Sequence, residues 1–159
     1  MTHKTSGACA IDLATLSVPP PTPSALSAPF WAAVAEGRLL LRRCAACRRF
    51  TAYPREICPH CWSQDQTWEE VSGRAEVQTF TRVHRAGNAG WQSATPYIIA
   101  LVRLAEGPVL LTQLFDSGQS LHSGASCYMV PTRVGDWTLP FFRLTGDAAP
   151  TARTEKGTL

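Results

Sequence analysis

Apolar and polar positions alternate over short stretches in the second half of the chain, a pattern typical of β-strands separated by turns. Strands are predicted at residues 74–84, 97–104, 109–115, 127–134 and 137–143. Five short strands without a long helical pattern indicate a small β-barrel or a sandwich. A five-stranded OB-fold barrel, the oligonucleotide/oligosaccharide-binding type, has this strand number and size.

Two details of these strands follow from local sequence. Alternation in the first strand predicts one face formed by Ala75, Val77, Thr79, Thr81 and Val83. Pro131 and Pro140 lack the amide donor of an inner strand, so we expect both to lie at edges or bulges.

The first half of the chain predicts one short helix at residues 28–36. Ser27 can cap the start of this helix, and Gly37 is a usual C-terminal stop. Residues 38–43 are predicted as a strand that runs into a cysteine-rich segment, and residues 67–71 then lead to Gly73.

These patterns predict four parts: an arm at 1–27, a helix with a ribbon at 28–71, the barrel at 72–146 and a flexible tail at 147–159. The arm contains four prolines in residues 19–23, which predicts an extended, semi-rigid backbone. Its sequence is compatible both with disorder and with wrapping around a partner. The tail has few apolar residues to bury.

The cysteine-rich segment contains two C-x-x-C pairs, Cys44 with Cys47 and Cys58 with Cys61, separated by ten residues. Two such knuckles brought together by a hairpin supply four thiolates to a tetrahedral Zn²⁺ site. No coordination position remains open, so we expect one structural, non-catalytic zinc ion. The predicted fold is therefore mainly β: an N-terminal helix plus a rubredoxin-like zinc ribbon, followed by a five-stranded OB-fold barrel.

Side chains around the cysteines admit two interpretations. Five arginines surround the pairs, and they can bind an anionic ligand such as phosphate or balance the −2 charge of a zinc tetrathiolate. They are Arg42, Arg43, Arg48, Arg49 and Arg55. We expect His60 to point away from the metal, and Trp62 and Trp68 to pack under the knuckles.

Composition limits the classes of function. The formal net charge is +3, from 15 basic and 12 acidic residues, and a filled zinc site lowers it to about +1. This charge is unlike that of a dedicated nucleic-acid binder. No apolar run approaches the roughly 18 residues of a membrane helix, so we expect no membrane span. The N-terminus lacks a signal-peptide pattern, and the paired cysteines fit a reducing, cytoplasmic setting.

Catalytic residues are difficult to assemble from this sequence. Cys127 lies in a strand-like stretch where core packing is the favoured role, and Gly118 to His122 matches a nucleophile motif only in part. An esterase or acyltransferase using Cys127 or Ser120 with His122 stays an alternative. We expect the single chain not to be an enzyme.

The order of these parts resembles one known family. A short helix precedes the cysteine pairs, and Tyr53-Pro54-Arg55, Cys58-Pro59-His60-Cys61, Val71-Ser72-Gly73-Arg74 and Pro96-Tyr97-Ile98-Ile99-Ala100 follow in turn. This arrangement resembles the zinc-ribbon and OB-fold proteins catalogued as DUF35, over about residues 28–145. The four cysteines match those of the family ribbon position by position.

The resemblance implies a non-catalytic accessory subunit. Members pair with thiolase-like acyltransferases or condensing enzymes, and others pair with hotdog-fold enoyl-CoA hydratases or aldolases. The subunit is thought to scaffold the complex and to help hold its acyl-CoA thioester. In that role the five arginines would bind CoA phosphates, and Trp91 and Trp137 would anchor an interface. A zinc-ribbon and OB-fold module that binds nucleic acid is the other alternative.

Overall fold

The computed structural model describes residues 12–115 and 121–145, in which one α-helix and eight strands are present. The bounds are α1 Ala28–Ala35, β1 Leu39–Cys44, β2 Phe50–Thr51, β3 Gln66–Val71, β4 Arg74–Val83, β5 Tyr97–Leu104, β6 Val109–Phe115, β7 Ser126–Val134 and β8 Trp137–Leu144. The predicted helix and strands lie within one or two residues of these bounds. Strand β3 was not predicted, and neither was the two-residue strand β2, which is too short to carry alternation.

The last five strands close into a barrel in the order β4-β5-β6-β8-β7. All neighbours are antiparallel except β6 and β8, which run parallel through the Leu114–Phe142 and Phe115–Arg143 pairs. This is the OB-fold, and the predicted fold class is confirmed. Val77, Val102 and Phe142 are fully buried in the barrel.

The prediction of a single face along β4 was wrong. Ala75 and Val77 are buried, but a bulge at Gln78 shifts the register, so that Val77 pairs with Val102 and Thr79 pairs with its neighbour Leu101. The extra residue reverses the alternation, and Thr79 lies outward beside an exposed leucine. A bulge of this kind depends on the partner strand, so β4 alone does not reveal it.

The two prolines occupy positions where no third strand needs their amides. Pro131 and Pro140 lie opposite each other in the β7–β8 hairpin. The pairing of β7 with β4 covers only Ser126, Cys127 and Tyr128, and that of β8 with β6 covers Phe142 and Arg143. Both prolines therefore lie on open edges of the hairpin, as expected.

The first three strands form a small antiparallel sheet in the order β2-β1-β3, and this sheet shares its core with the barrel. Leu39 and Leu41 of β1 and Val34 of α1 belong to the same buried cluster as the barrel residues. Gly37 ends α1 with a φ of +81°, as predicted. Ser27 does not cap the helix; its hydroxyl accepts a hydrogen bond from the Ser24 amide instead.

The described part of the arm packs on the barrel. Leu16 is 8% exposed and lies in a second cluster with Val134 and Phe141. The Gly135 amide donates a hydrogen bond to the Leu13 carbonyl at 3.2 Å. The arm thus crosses the β4–β5 loop and the β7–β8 turn, the two loops between which OB-folds bind oligonucleotides.

Several of the sequence predictions concern residues that the structure does not describe. Residues 1–11 of the arm, Ser120 and the tail at 147–159 lie outside the described residues. Among the residues that are described, no helix has the length and apolar character needed to cross a membrane.

Because the arm passes close to the β4–β5 loop, substitutions at two glycines of this loop should differ in their effect on stability. A Cβ atom at Gly90 would overlap the Ser17 carbonyl oxygen, whereas nothing lies within 4 Å of a Cβ at Gly87. We expect Gly90→Ala to lower the free energy of unfolding by about 1–3 kcal/mol, as overpacking does. Gly87→Ala is the matched control and should change it little. Urea unfolding of both variants measures the difference, and equal values would contradict the arm contact.

Candidate metal centre and junction pocket

The two cysteine pairs form knuckles with the same backbone hydrogen bonds. In the first, the Arg48 amide donates to the Cys44 carbonyl at 2.9 Å; in the second, the Trp62 amide donates to the Cys58 carbonyl at 2.9 Å. The residue after each pair has a left-handed backbone, with φ of +62° at Arg48 and +64° at Trp62. This conformation turns the chain sharply enough to aim both sulfurs of a pair at one point.

The four predicted ligands come together. All four sulfur atoms lie within 4.8 Å of one another. The Sγ atoms of Cys44 and Cys61 are 3.5 Å apart, and those of Cys47 and Cys58 are 3.7 Å apart. A tetrahedron with Zn–S bonds of about 2.3 Å separates its sulfurs by about 3.8 Å, so this donor set fits a zinc ion. Zinc bound here would cross-link the knuckles, and four thiolates leave it no open position.

Electrostatics also point to a cation at this position. The Cys47 amide donates to the Cys44 sulfur at 3.5 Å and lowers the pKa of Cys44 to about 6. The Ser63 amide lowers the pKa of Cys61, but the neighbouring thiols and burial outweigh it and raise that pKa to about 12. Sulfurs packed this closely cannot all release their protons unless a positive ion lies among them.

The positions of the side chains beside the cysteines agree only in part with the sequence prediction. His60 lies outside the sulfur cluster, as expected, and its Nδ1 is 3.5 Å from a terminal nitrogen of Arg49. The packing predicted for Trp62 was wrong, because its side chain is 81% exposed. Trp68 is half-buried on β3, where the Arg42 guanidinium lies 5.5 Å from the ring centre.

The five arginines differ in their surroundings, and their role in binding an anion stays a prediction. Arg43 forms an ion pair with Glu69 at 2.9 Å and lies over the Phe50 ring. Arg42 stacks on Trp68, and its buried Nε has no hydrogen-bond partner. The remaining three, Arg48, Arg49 and Arg55, are exposed and have no carboxylate partner within the described ranges.

A pocket of about 490 Å³ lies where α1, the ribbon sheet and the barrel meet, and we call it the junction pocket. Apolar and aromatic side chains dominate its lining, among them Phe30, Trp31, Tyr53, Trp68, Leu111 and Phe141. The Leu111 amide donates to the Tyr53 hydroxyl at 3.0 Å, which ties the ribbon loop to β6 at the rim. This volume and lining are typical of small-molecule sites.

No local signal could have located the junction pocket. Its walls come from α1, from β1 to β3, and from β6 and β8, which are far apart in sequence. In the sequence, Tyr53 is distinguished only as part of the Tyr53-Pro54-Arg55 motif. An exposed Leu111 in an apolar strand looks like any other strand residue, so its role in the rim is visible only after folding.

The two tryptophans predicted as interface anchors take part in intramolecular contacts. Trp91 lies 5.8 Å from the Tyr97 ring and 6.4 Å from the Phe141 ring. Trp137 makes an edge-on contact with Trp31 at 6.0 Å. Both are half-buried, so their role in an interface stays a prediction.

The alternative nucleophile is poorly placed for chemistry. Cys127 is 1% exposed in β7, and burial, assisted by the charge of Glu76, raises the pKa of its thiol to about 12. A thiol that stays protonated is a weak nucleophile. His122 is exposed in the preceding turn.

Two family models match consecutive parts of the chain. The model described as the ChsH2 rubredoxin-like zinc ribbon domain matches residues 31–66, and that described as the ChsH2 C-terminal OB-fold domain matches residues 68–126.

Relatives of the chain include curated proteins and solved structures. A probable enoyl-CoA hydratase alpha subunit from Thermomonospora curvata is 37% identical over 54% of this chain and 26% of its own length. A DUF35 domain-containing scaffold protein from Pyrococcus furiosus is 37% identical over 52% of this chain and 61% of its own. The chain thus spans less than two thirds of these curated relatives. A chain of the solved Ltp2-ChsH2(DUF35) aldolase is 30% identical with a TM-score of 0.68, over 79% of this chain and 98% of that one.

The metal centre predicts the effect of losing one ligand. Cys58→Ser should remove zinc and unfold the ribbon, because structural zinc contributes about 10–16 kcal/mol to such small modules. Zinc per chain, from elemental mass spectrometry, and thermal melting measure the loss. Cys127→Ala is the control, since Cys127 lies outside the sulfur cluster, and it should keep one zinc ion per chain. Unchanged zinc content in Cys58→Ser would contradict the assignment.

Burial of Cys127 predicts low reactivity and a pH-dependent contribution to stability. Its raised pKa keeps the thiol protonated at pH 8, so iodoacetamide should modify it only after unfolding in guanidinium. The unfolded thiol ionises near pH 9 while the folded one stays protonated, so its contribution to stability should fall between pH 9 and about 12. Peptide mass spectrometry measures the labelling. Modification of Cys127 in the native chain at pH 8 would support its role as a nucleophile instead.

Proposed function

The chain belongs to the DUF35 family of zinc-ribbon and OB-fold proteins, and on this premise we propose that it is a non-catalytic subunit that scaffolds an enzyme acting on CoA thioesters. The names of its relatives support this role. One is called a scaffold protein, one is an enoyl-CoA hydratase subunit, and one solved chain comes from an aldolase complex.

The junction pocket is the observation that carries the proposal. A pocket of about 490 Å³ with an aromatic lining suits an apolar ligand such as the acyl part of a thioester. Its rim carries Leu111, which is 59% exposed, and Tyr53, which is 55% exposed. Apolar side chains this exposed favour a site that a ligand or a partner covers.

Two arginines near this pocket suit the anionic part of a CoA thioester. Arg42 stacks on the pocket residue Trp68 and has a buried Nε without an acceptor. Arg55 follows the pocket residue Pro54 and is exposed. Guanidinium groups bind phosphate oxygens with paired hydrogen bonds, so these two residues are the proposed contacts of the CoA phosphates.

The identity of the partner enzyme is the more specific part of the proposal. A thiolase-like acyltransferase or condensing enzyme is the first candidate, because the family resemblance implies such enzymes. An aldolase or an enoyl-CoA hydratase is the second, and the names of two relatives favour it. A nucleic-acid role is disfavoured, because the arm crosses both loops of the usual OB-fold cleft.

The proposal predicts an assembly and a pocket-dependent activity. When the tagged chain is co-expressed with the products of its neighbouring genes, we expect a larger CoA-dependent subunit to co-purify. Turnover should then need that subunit and should be absent from the single chain. Leu111→Ser should raise the KM of the complex for its acyl-CoA, by about fivefold or more, because it removes apolar surface at the pocket rim.

Leu101→Ser is the matched control, because Leu101 pairs with Leu111 across β5 and β6 and is exposed but does not line the pocket. Its KM should equal that of the unchanged complex. A chain that runs as a free monomer with every neighbour, and alters no activity, would refute the proposal. Equal KM values for the two leucine variants would show that the junction pocket does not bind the acyl-CoA.

A further inference from the structure

The outer end of the ribbon presents a second unusual surface, which we call the knuckle surface: Arg48, Arg49, Ile57 and Trp62. Trp62 is 81% exposed and Ile57 is 41% exposed. Arg49 reaches across to the second knuckle, where it lies 3.5 Å from His60. None of these four residues lines the junction pocket.

The backbone at two of these positions is strained. Left-handed φ values of +62° and +64° are costly for bulky side chains, and Arg48 and Trp62 are the non-glycine residues that have them within the described chain. The zinc knuckle needs only the backbone there, because the Arg48 and Trp62 amides supply its hydrogen bonds. Glycine would form the same turn without strain.

The Trp62 side chain gains little inside the chain in return for this strain. Within residues 12–115 and 121–145, its indole takes part in no ring-stacking or cation–π contact. The backbone that carries this indole is already fixed by the knuckle, so docking would cost only the freedom of its two side-chain torsions. The described residues therefore give the indole no ring partner, and its 81% exposure leaves it available to a partner.

We propose that the knuckle surface docks this chain onto its protein partner, with Trp62 inserted in an apolar recess that is bordered by carboxylates. The carboxylates are inferred from charge complementarity, because the guanidinium groups of Arg48 and Arg49 have no acidic partner in the described residues. The inference rests on the proposed function, since its partner is the CoA-dependent subunit.

A protein is favoured over a nucleic acid as the occupant. The whole chain carries a formal charge of only +3, and the knuckle surface contributes two cations rather than a basic track. Nucleic-acid sites rely on many phosphate contacts, whereas a protein anchor needs one buried aromatic side chain with a charged rim.

The test separates docking from a structural role of the same residue. Trp62→Gly relieves the left-handed strain, so its melting temperature should equal or exceed that of the unchanged chain, with one zinc ion retained. Its Kd for the co-purified CoA-dependent subunit should nevertheless rise at least about tenfold. Arg48→Gly should behave likewise with a smaller rise, and added salt should weaken binding of the unchanged chain.

Phe80→Ser is the control, because Phe80 is an exposed aromatic residue (39%) on β4, in the barrel. It should leave the Kd unchanged. If Trp62→Gly binds the subunit as tightly as the unchanged chain, the knuckle surface is not the docking site and the proposed function still stands. If no subunit binds the unchanged chain, both proposals fail.

Two further outcomes would also overturn the inference. A loss of zinc or of melting temperature in Trp62→Gly would assign Trp62 a structural role. Salt-sensitive binding of a fluorescent single-stranded oligonucleotide, lost in Trp62→Gly, would assign the surface to nucleic acid instead.

Discussion

The convergence of four sulfur atoms is the constraint on which the ribbon depends. Cys44 ends β1, while the other three cysteines lie outside the strands, so the sulfur cluster is what fixes the loops around them. The segment between the two cysteine pairs carries Thr51 at the end of β2 and then Ala52 and Tyr53, all of which line the junction pocket. The metal centre therefore lies away from the pocket but determines the position of one of its walls.

The barrel supplies the wall of the junction pocket that lies opposite the ribbon, and the same part of the barrel contacts the arm. β6 and β8 run parallel and supply the opposite wall of the pocket through Leu111 and Phe141. Phe141 is also in the cluster that holds Leu16 of the arm. Because Gly90 and Gly135 admit the backbone of Leu16 and Ser17 at close range, this described part of the arm packs on both loops that border the usual OB-fold cleft.

The features that could be predicted are those encoded over short distances. Cysteine spacing identified the metal ligands, and short apolar or alternating runs bounded by turns identified all five barrel strands, because both signals need only neighbouring residues. The β4 bulge, the exposed position of Trp62 and the junction pocket were missed. Each of them depends on contacts between distant segments: register against β5, the backbone turn around a metal site, and the meeting of ribbon and barrel.

The reactive thiols and the exposed side chains of the described residues lie in different places. Among residues 12–115 and 121–145, four of the five thiols are gathered in a closed metal site, and the fifth, Cys127, is buried and protonated. The exposed groups are instead apolar or cationic, at the pocket rim around Leu111 and at the knuckle around Trp62. In the proposed assembly these exposed surfaces would hold and position a ligand while another subunit performs the chemistry. Since the ribbon carries the knuckle surface and one wall of the junction pocket, we expect loss of zinc to disturb both surfaces together.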